Sequence, residues 1–151
     1  MFKKLAASIC VGIILFAGTA NAEDKKAHVL SMMEKAISHF KSVGQEQAFK
    51  DFSTEGDYKN GEFYVISQSV STGNVLFHGA NNKLIGKNLN KLKDTDGKLF
   101  VQEMVDTAAK KGSGWVDYKW PHPESKKITQ KHTYVARVDD TDVFFMIGYY
   151  E

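Results

Sequence analysis

Cysteine and proline are nearly missing from this 151-residue chain. The one cysteine, Cys10, lies in an apolar N-terminal stretch, so the rest of the chain has no disulfide and no thiolate for metal binding or nucleophilic attack. Charge of one sign is lacking too. Twenty Lys and Arg side chains face 18 Asp and Glu, and Lys3 and Lys4 account for the excess. A balanced chain after residue 22 argues against a nucleic-acid partner or an anionic membrane held by bulk electrostatics. Long hydrophobic runs are also scarce. The apolar residues between Leu5 and Phe16 form the longest such stretch, too short for a comfortable membrane span.

That stretch has another reading. Met1-Phe2-Lys3-Lys4 is a positively charged start, the apolar run follows, and Ala20-Asn21-Ala22 is an A-x-A cleavage site. The pattern predicts a signal peptide over residues 1–22, a mature domain over 23–151, and a periplasmic location. A single domain of that size can bury an ordinary core without staples.

Catalytic and metal signatures are absent from the sequence. The five histidines (His28, His39, His78, His122 and His132) form no H-x-x-x-H or H-E-x-x-H pair. Ser67, Ser69, Ser71 and Ser113 lack a G-x-S-x-G elbow. Asp94-Thr95-Asp96-Gly97 looks like the opening of a calcium loop but has no acid at the twelfth position, so it reads as a turn. The expectation is a protein that is not an enzyme and needs no metal or cofactor.

What is present is periodicity. Apolar residues at 29, 30, 33, 36, 37 and 40 predict an amphipathic helix over 27–43, stopped by Gly44. A short helix is expected over 45–52. Strands follow at 63–70 and 75–78 around Thr72-Gly73-Asn74, then a polar loop, a helix over 99–110, and strands near 115–120, 131–138 and 143–150. This order predicts an α+β domain with an antiparallel sheet.

Both prolines and both tryptophans fall within residues 114–123, beside Tyr118, Lys119 and His122. On an extended segment Val116, Tyr118 and Trp120 share one face, while Trp115, Asp117 and Lys119 share the other. In the next strand Lys131, Thr133 and Val135 alternate with His132, Tyr134 and Ala136. Paired around the 121–130 turn, these strands would gather aromatic rings and a cation on a sheet face. Such a face fits a carboxylate held by Lys or His and walled by rings, or else an ordinary aromatic core. His78 ends its strand, where its side chain can reach over the sheet.

The ordered set Gly61-Glu62-Phe63-Tyr64-Val65, Phe77-His78-Gly79, Leu84-Ile85-Gly86, residues 112–121 from Gly112 to Pro121, Lys131, Tyr134-Val135 and Gly148-Tyr149-Tyr150 resembles the single Cache domain, type 2. That family is found outside the membrane in bacterial chemoreceptors and sensor kinases and as free periplasmic proteins. The resemblance implies a PAS-like fold, a long N-terminal helix packed on a five-stranded antiparallel sheet, with one pocket for a small organic acid such as a short-chain carboxylate. Carried over by position, the pocket residues are Tyr64, His78, Trp115, Tyr118, Trp120, Lys131 and Tyr134. Strand alternation keeps Trp115 and Tyr118 off a common face and favours Tyr118 and Trp120 as ligand contacts. Two departures from the family pattern stand near the expected pocket: the first hairpin, Ser69-Val70-Ser71-Thr72-Gly73, lacks the usual Asp, and Asn82 replaces the usual Pro. The resulting expectation is a ligand-binding protein in chemotaxis or other signal transduction, free-standing as its sequence ends at Glu151. It would signal through a membrane receptor or sensor kinase. The alternative is a module that docks on such a partner without its own ligand.

Overall fold

The structure, a computed structural model, describes residues 17–151; residues 1–16, with Cys10 and most of the expected signal peptide, lie outside it. Helix α1 spans Ala17–Val43 and starts ten residues before the helix predicted over 27–43. Residues 23–28 show no apolar stripe. Lys25, however, ties the segment down by an ion pair to Glu62 (2.8 Å) and a hydrogen bond to the Tyr150 carbonyl (2.8 Å). Gly44 adopts φ 82°, which breaks the helix and lets α2 (Gln45–Phe52) begin.

The chain then enters a two-stranded ribbon, β1 (Lys59–Asn60) and β2 (Phe63–Tyr64), and a main sheet built from β3 (Ile66–Ser69), β4 (Val75–His78), β5 (Ser113–Pro121), β6 (Ile128–Arg137) and β7 (Val143–Tyr150). The main sheet is antiparallel with the order β4-β3-β7-β6-β5. The single strand predicted over 63–70 is therefore two, because the chain changes sheets at the fully buried Val65. The Val65 carbonyl accepts from the Gly79 N–H. A Cβ at Gly79 would sit 3.0 Å from that oxygen and 3.1 Å from Tyr64 Cβ, so only glycine allows the approach that brings Tyr64 beside His78.

Every residue of β7 is buried, as expected for a central strand covered on both faces. One face packs against α1 and α2 through Val29, Met33, Ala36, Phe40, Phe52, Phe145 and Ile147. The other meets α3 (Phe100–Lys111), whose stripe of Phe100, Val101, Met104, Val105 and Ala108 rests on Val116, Tyr118, Val135, Phe144 and Met146. The 79–99 segment, including a single 3-10 turn at Asn82–Leu84, covers the rest of this second face. The Asp94–Gly97 turn is structural. Asp94 accepts from the N–H groups of Asp96, Lys98 and Lys119, and Asp96 pairs with Lys119 (3.0 Å).

The first hairpin takes its carboxylate from elsewhere in the chain. Asp142, in the β6–β7 turn, accepts from Ser69 Oγ (2.6 Å), Ser71 Oγ (2.8 Å) and the Ser71 N–H (2.9 Å). These bonds hold its pKa below the ordinary carboxylate value. Asp142→Ala is expected to lower stability by about 1–2 kcal/mol, read as a lower urea midpoint with an unchanged m-value.

Candidate ligand-binding site

A cavity of about 540 Å³ lies between the second sheet face and its cover. Strand alternation decides which side chains reach it. Tyr64, Ile66 and Gln68 come from β2 and β3, His78 from the end of β4, Tyr118 and Trp120 from β5, Lys131 and Thr133 from β6, and Met146 and Tyr150 from β7. Phe100, Val101 and Met104 of α3 form the roof, and the exposed Ala80, Asn81, Pro121, Pro123 and Lys126 surround the opening.

Lys131 is the centre of the site. Register pairs it with Tyr118 on one side and Tyr150 on the other. Its side chain is only 3% exposed. Nζ donates to Tyr64 Oη (3.1 Å) and lies 4.9 Å and 4.6 Å from the ring centroids of Tyr64 and Tyr150. Burial works against the ammonium. The surrounding oxygens of Tyr118, Tyr64 and Tyr150 more than offset it and hold its pKa above that of an ordinary lysine. No acidic side chain pairs with Lys131 among the described residues. A buried cation satisfied only by one hydroxyl and two ring faces is unusual, because desolvation costs several kcal/mol per ion.

Gly148 makes this placement possible. A Cβ there would fall 2.5 Å from Thr133 Oγ1, 2.8 Å from the His132 carbonyl and 3.0 Å from Lys131 Cε, so the lysine stem lies back along the sheet over a residue with no side chain.

His78 complements the cation as a neutral donor. Its Nδ1 accepts from the N–H groups of Ala80 (3.2 Å) and Asn81 (3.0 Å), so the neutral ring carries its proton on Nε2. Burial, then the neighbouring Lys131 charge, lowers its pKa from 6.5 to about 4. Its ring stacks on Tyr64 at 5.5 Å. Burial raises the Tyr118 pKa, and that hydroxyl accepts from Thr133 Oγ1 (3.3 Å), leaving its own proton free to donate. Tyr150, which donates to the Pro121 carbonyl (3.4 Å), is pushed up to about 12, chiefly by burial. The wall is aromatic: Tyr118 lies flat on Phe100, centroids 4.1 Å apart at 6°, with Trp120 5.2 Å from Phe100.

Five of the seven residues picked from the sequence, Tyr64, His78, Tyr118, Trp120 and Lys131, line this cavity. Trp115 and Tyr134 do not. They are cross-strand partners on the opposite face, 5.1 Å apart, packed with Tyr149 and beneath the Lys26 ammonium of α1. The period-2 alternation that points Tyr118 and Lys131 into the cavity points these two toward α1. Sequence reasoning missed Tyr150, Phe100 and Gln68 as lining residues. Tyr150 belonged to the matched Gly148-Tyr149-Tyr150 block, which was the one available signal.

A sequence profile of the Cache domain matches residues 28–151. The chain belongs to the Cache domain family, the sensory domain of chemoreceptors and sensor kinases. It is 29% identical over 125 residues to the sensor histidine kinase MctS of Rhizobium johnstonii, an alignment covering 76% of this chain and 26% of that protein. It is 34% identical over 61 residues to the methyl-accepting chemotaxis protein McpP of Pseudomonas putida, covering 40% of this chain and 11% of that one. The chain thus spans about a quarter or less of the length of these curated relatives. Its fold matches, at a TM-score of 0.67 and 24% identity, a solved structure described as the structural basis for carboxylic acid recognition by a Cache chemosensory domain; 87% of this chain and 93% of that one are covered. Among the described residues, no helix is long and apolar enough to cross a membrane.

Two outcomes follow from this geometry. Gly148→Ala should destabilise the protein by about 1–3 kcal/mol, measured by chemical denaturation, since the His132 carbonyl cannot yield to the new methyl. The depressed His78 pKa gives stability that is fully present above the unfolded value of 6.5 and is lost as pH falls toward about 4. Over that window the loss is on the order of 3 kcal/mol. Thermal unfolding of the wild type should therefore weaken from pH 6.5 to 4, and His78→Gln should flatten that slope; an unchanged slope in the variant would show that His78 is not the titrating group.

Proposed function

We propose that this domain is a non-enzymatic periplasmic sensor whose ligand is a small organic carboxylate bound between the sheet and α3. The observation that carries this reading is the buried Lys131 ammonium, unpaired by any described acid and facing a cavity. A carboxylate there would supply the missing counter-charge. It could accept from Lys131 Nζ, from His78 Nε2–H and from the Tyr64 hydroxyl, all charge-assisted bonds in a low-dielectric site. The aromatic wall would then contact the ligand's carbon body. The carboxylic acid named in the description of the structural neighbour supports the same class. Signalling would pass to a membrane receptor or sensor kinase, either as a separate partner or as part of the same protein. The rival reading, a docking module without a ligand, calls for an exposed apolar patch on α1. The large exposed hydrophobics among the described residues are Val43, Ile85, Leu99 and Ile128, scattered over separate segments.

Calorimetric titration with acetate, propionate, pyruvate and lactate tests the proposal. At least one should bind, and Lys131→Met should weaken it by about thirtyfold or more, because truncating one partner of a buried charge pair costs about 2–5 kcal/mol. Absence of binding at millimolar concentration, or equal affinity in Lys131→Met, sinks the carboxylate reading.

A further inference from the structure

Three buried side-chain atoms have no hydrogen-bond partner among the described residues: Ser67 Oγ, Gln68 Oε1 and Asn90 Oδ1. Of the three residues, only Gln68 lines the cavity. It is 2% exposed, and its amide oxygen, Oε1, has no hydrogen-bond partner among the described residues. Buried amides are nearly always paired, so an unpaired one at a cavity wall calls for a partner that the folded chain does not supply.

Gln68 stands far from Lys131. On the cavity face, β7 presents Phe144, Met146, Gly148 and Tyr150 in turn. Gln68 pairs with Phe144, and Lys131 pairs with Tyr150 but lies back over Gly148. Four residue steps separate Phe144 from Gly148, on the order of 13 Å along the strand. Between these poles the lining is apolar, with Ile66, Phe100, Met104 and Met146. The cavity is thus a greasy channel with a cation at one end and an unpaired amide at the other. It is also large. A two- or three-carbon acid has at most about six non-hydrogen atoms, and at about 30 Å³ per water-sized group it fills only about a third of the roughly 540 Å³.

Building on the carboxylate reading above, we propose that the cavity is made for a longer acid, of about five to seven carbons, that carries a hydroxyl group near its far end. The carboxylate meets Lys131, the methylenes cross the apolar belt, and the hydroxyl pairs with Gln68. A hydroxyl suits the amide in either of its two orientations, because it both donates and accepts.

Titration calorimetry with acetate, hexanoate and 6-hydroxyhexanoate on the wild type, Gln68→Leu and Gln68→Met tests this. Hexanoate should bind at least about tenfold tighter than acetate, since each buried methylene is worth up to about fourfold. The terminal hydroxyl should add about fivefold more. Both variants should lose the hydroxyl's advantage while binding acetate within about twofold of wild type. If acetate binds through Lys131 but hexanoate is excluded, or if the hydroxyl's advantage survives in both variants, the longer-acid proposal is wrong and the carboxylate reading stands. If no acid binds, acetate included, the carboxylate reading itself falls. Should neither variant fold, the wild-type comparison decides: a hexanoate to 6-hydroxyhexanoate ratio below about twofold overturns the role of Gln68.

Discussion

The ammonium of Lys131 is the constraint around which one half of this domain is arranged. A charge buried to this degree is tolerated only where several elements converge on it, and each does so for a local reason. Tyr64 is delivered by the chain's change of sheets at Val65, Tyr118 and Tyr150 by register on either side, and the space for the stem by Gly148. The same charge helps keep His78 neutral. A neutral imidazole with Nδ1 fixed by two backbone donors presents Nε2–H as a donor, so cation and histidine offer donors without repelling each other. Ring faces offset part of the desolvation but carry no net charge. An anion would complete the arrangement, which is why the proposal of a carboxylate rests on the lysine more than on any count of aromatic residues.

The two faces of the sheet divide the work. The face under α1 and α2 is a close-packed cluster of phenylalanines and aliphatics, with Phe52 and Phe145 in edge-on contact at 5.7 Å. The face under α3 is packed at one side and open at the other, and the cavity sits in the gap. Tyr150 belongs to both parts. Its ring lies against Lys131, its N–H donates to Glu62, and its carbonyl accepts from Lys25 of α1. The site and the start of the long helix are therefore joined through a single residue of the central strand.

Strand alternation read from the sequence placed Tyr118, Trp120 and Lys131 on a common face and separated Trp115 from them, because a period of two depends only on the strand being extended. The helices at 45–52 and 100–111 and strands β4 and β7 were legible for similar reasons. Alternation along one strand cannot say which neighbouring strand supplies the rest of a pocket. Tyr150 and Gln68 required the β6–β7 and β3–β7 register, and Phe100 required the position of α3. Tyr134 followed the resemblance rather than its own strand face, and the register pairs it with Trp115 instead. The start of α1 was hidden because polar residues 23–28 are held by tertiary contacts from Lys25, which leave no periodic trace.

The two departures from the family pattern have different consequences in the folded chain. The first hairpin lacks its own acid, yet Asp142 reaches across from the β6–β7 turn and satisfies Ser69 and Ser71, so the hairpin retains a carboxylate from another part of the chain. None of residues 69–73 lines the cavity, and that departure bears on how the hairpin is held. Asn82 is different. It opens the 3-10 turn whose cap Asn81 and last residue Leu84 line the cavity, and Asn81 caps that turn through Lys83 N–H while its own N–H donates to His78 Nδ1. A change in the conformation of this turn would move both the rim and the histidine's anchor. Of the two departures, the one at Asn82 is thus positioned to alter the shape of the cavity.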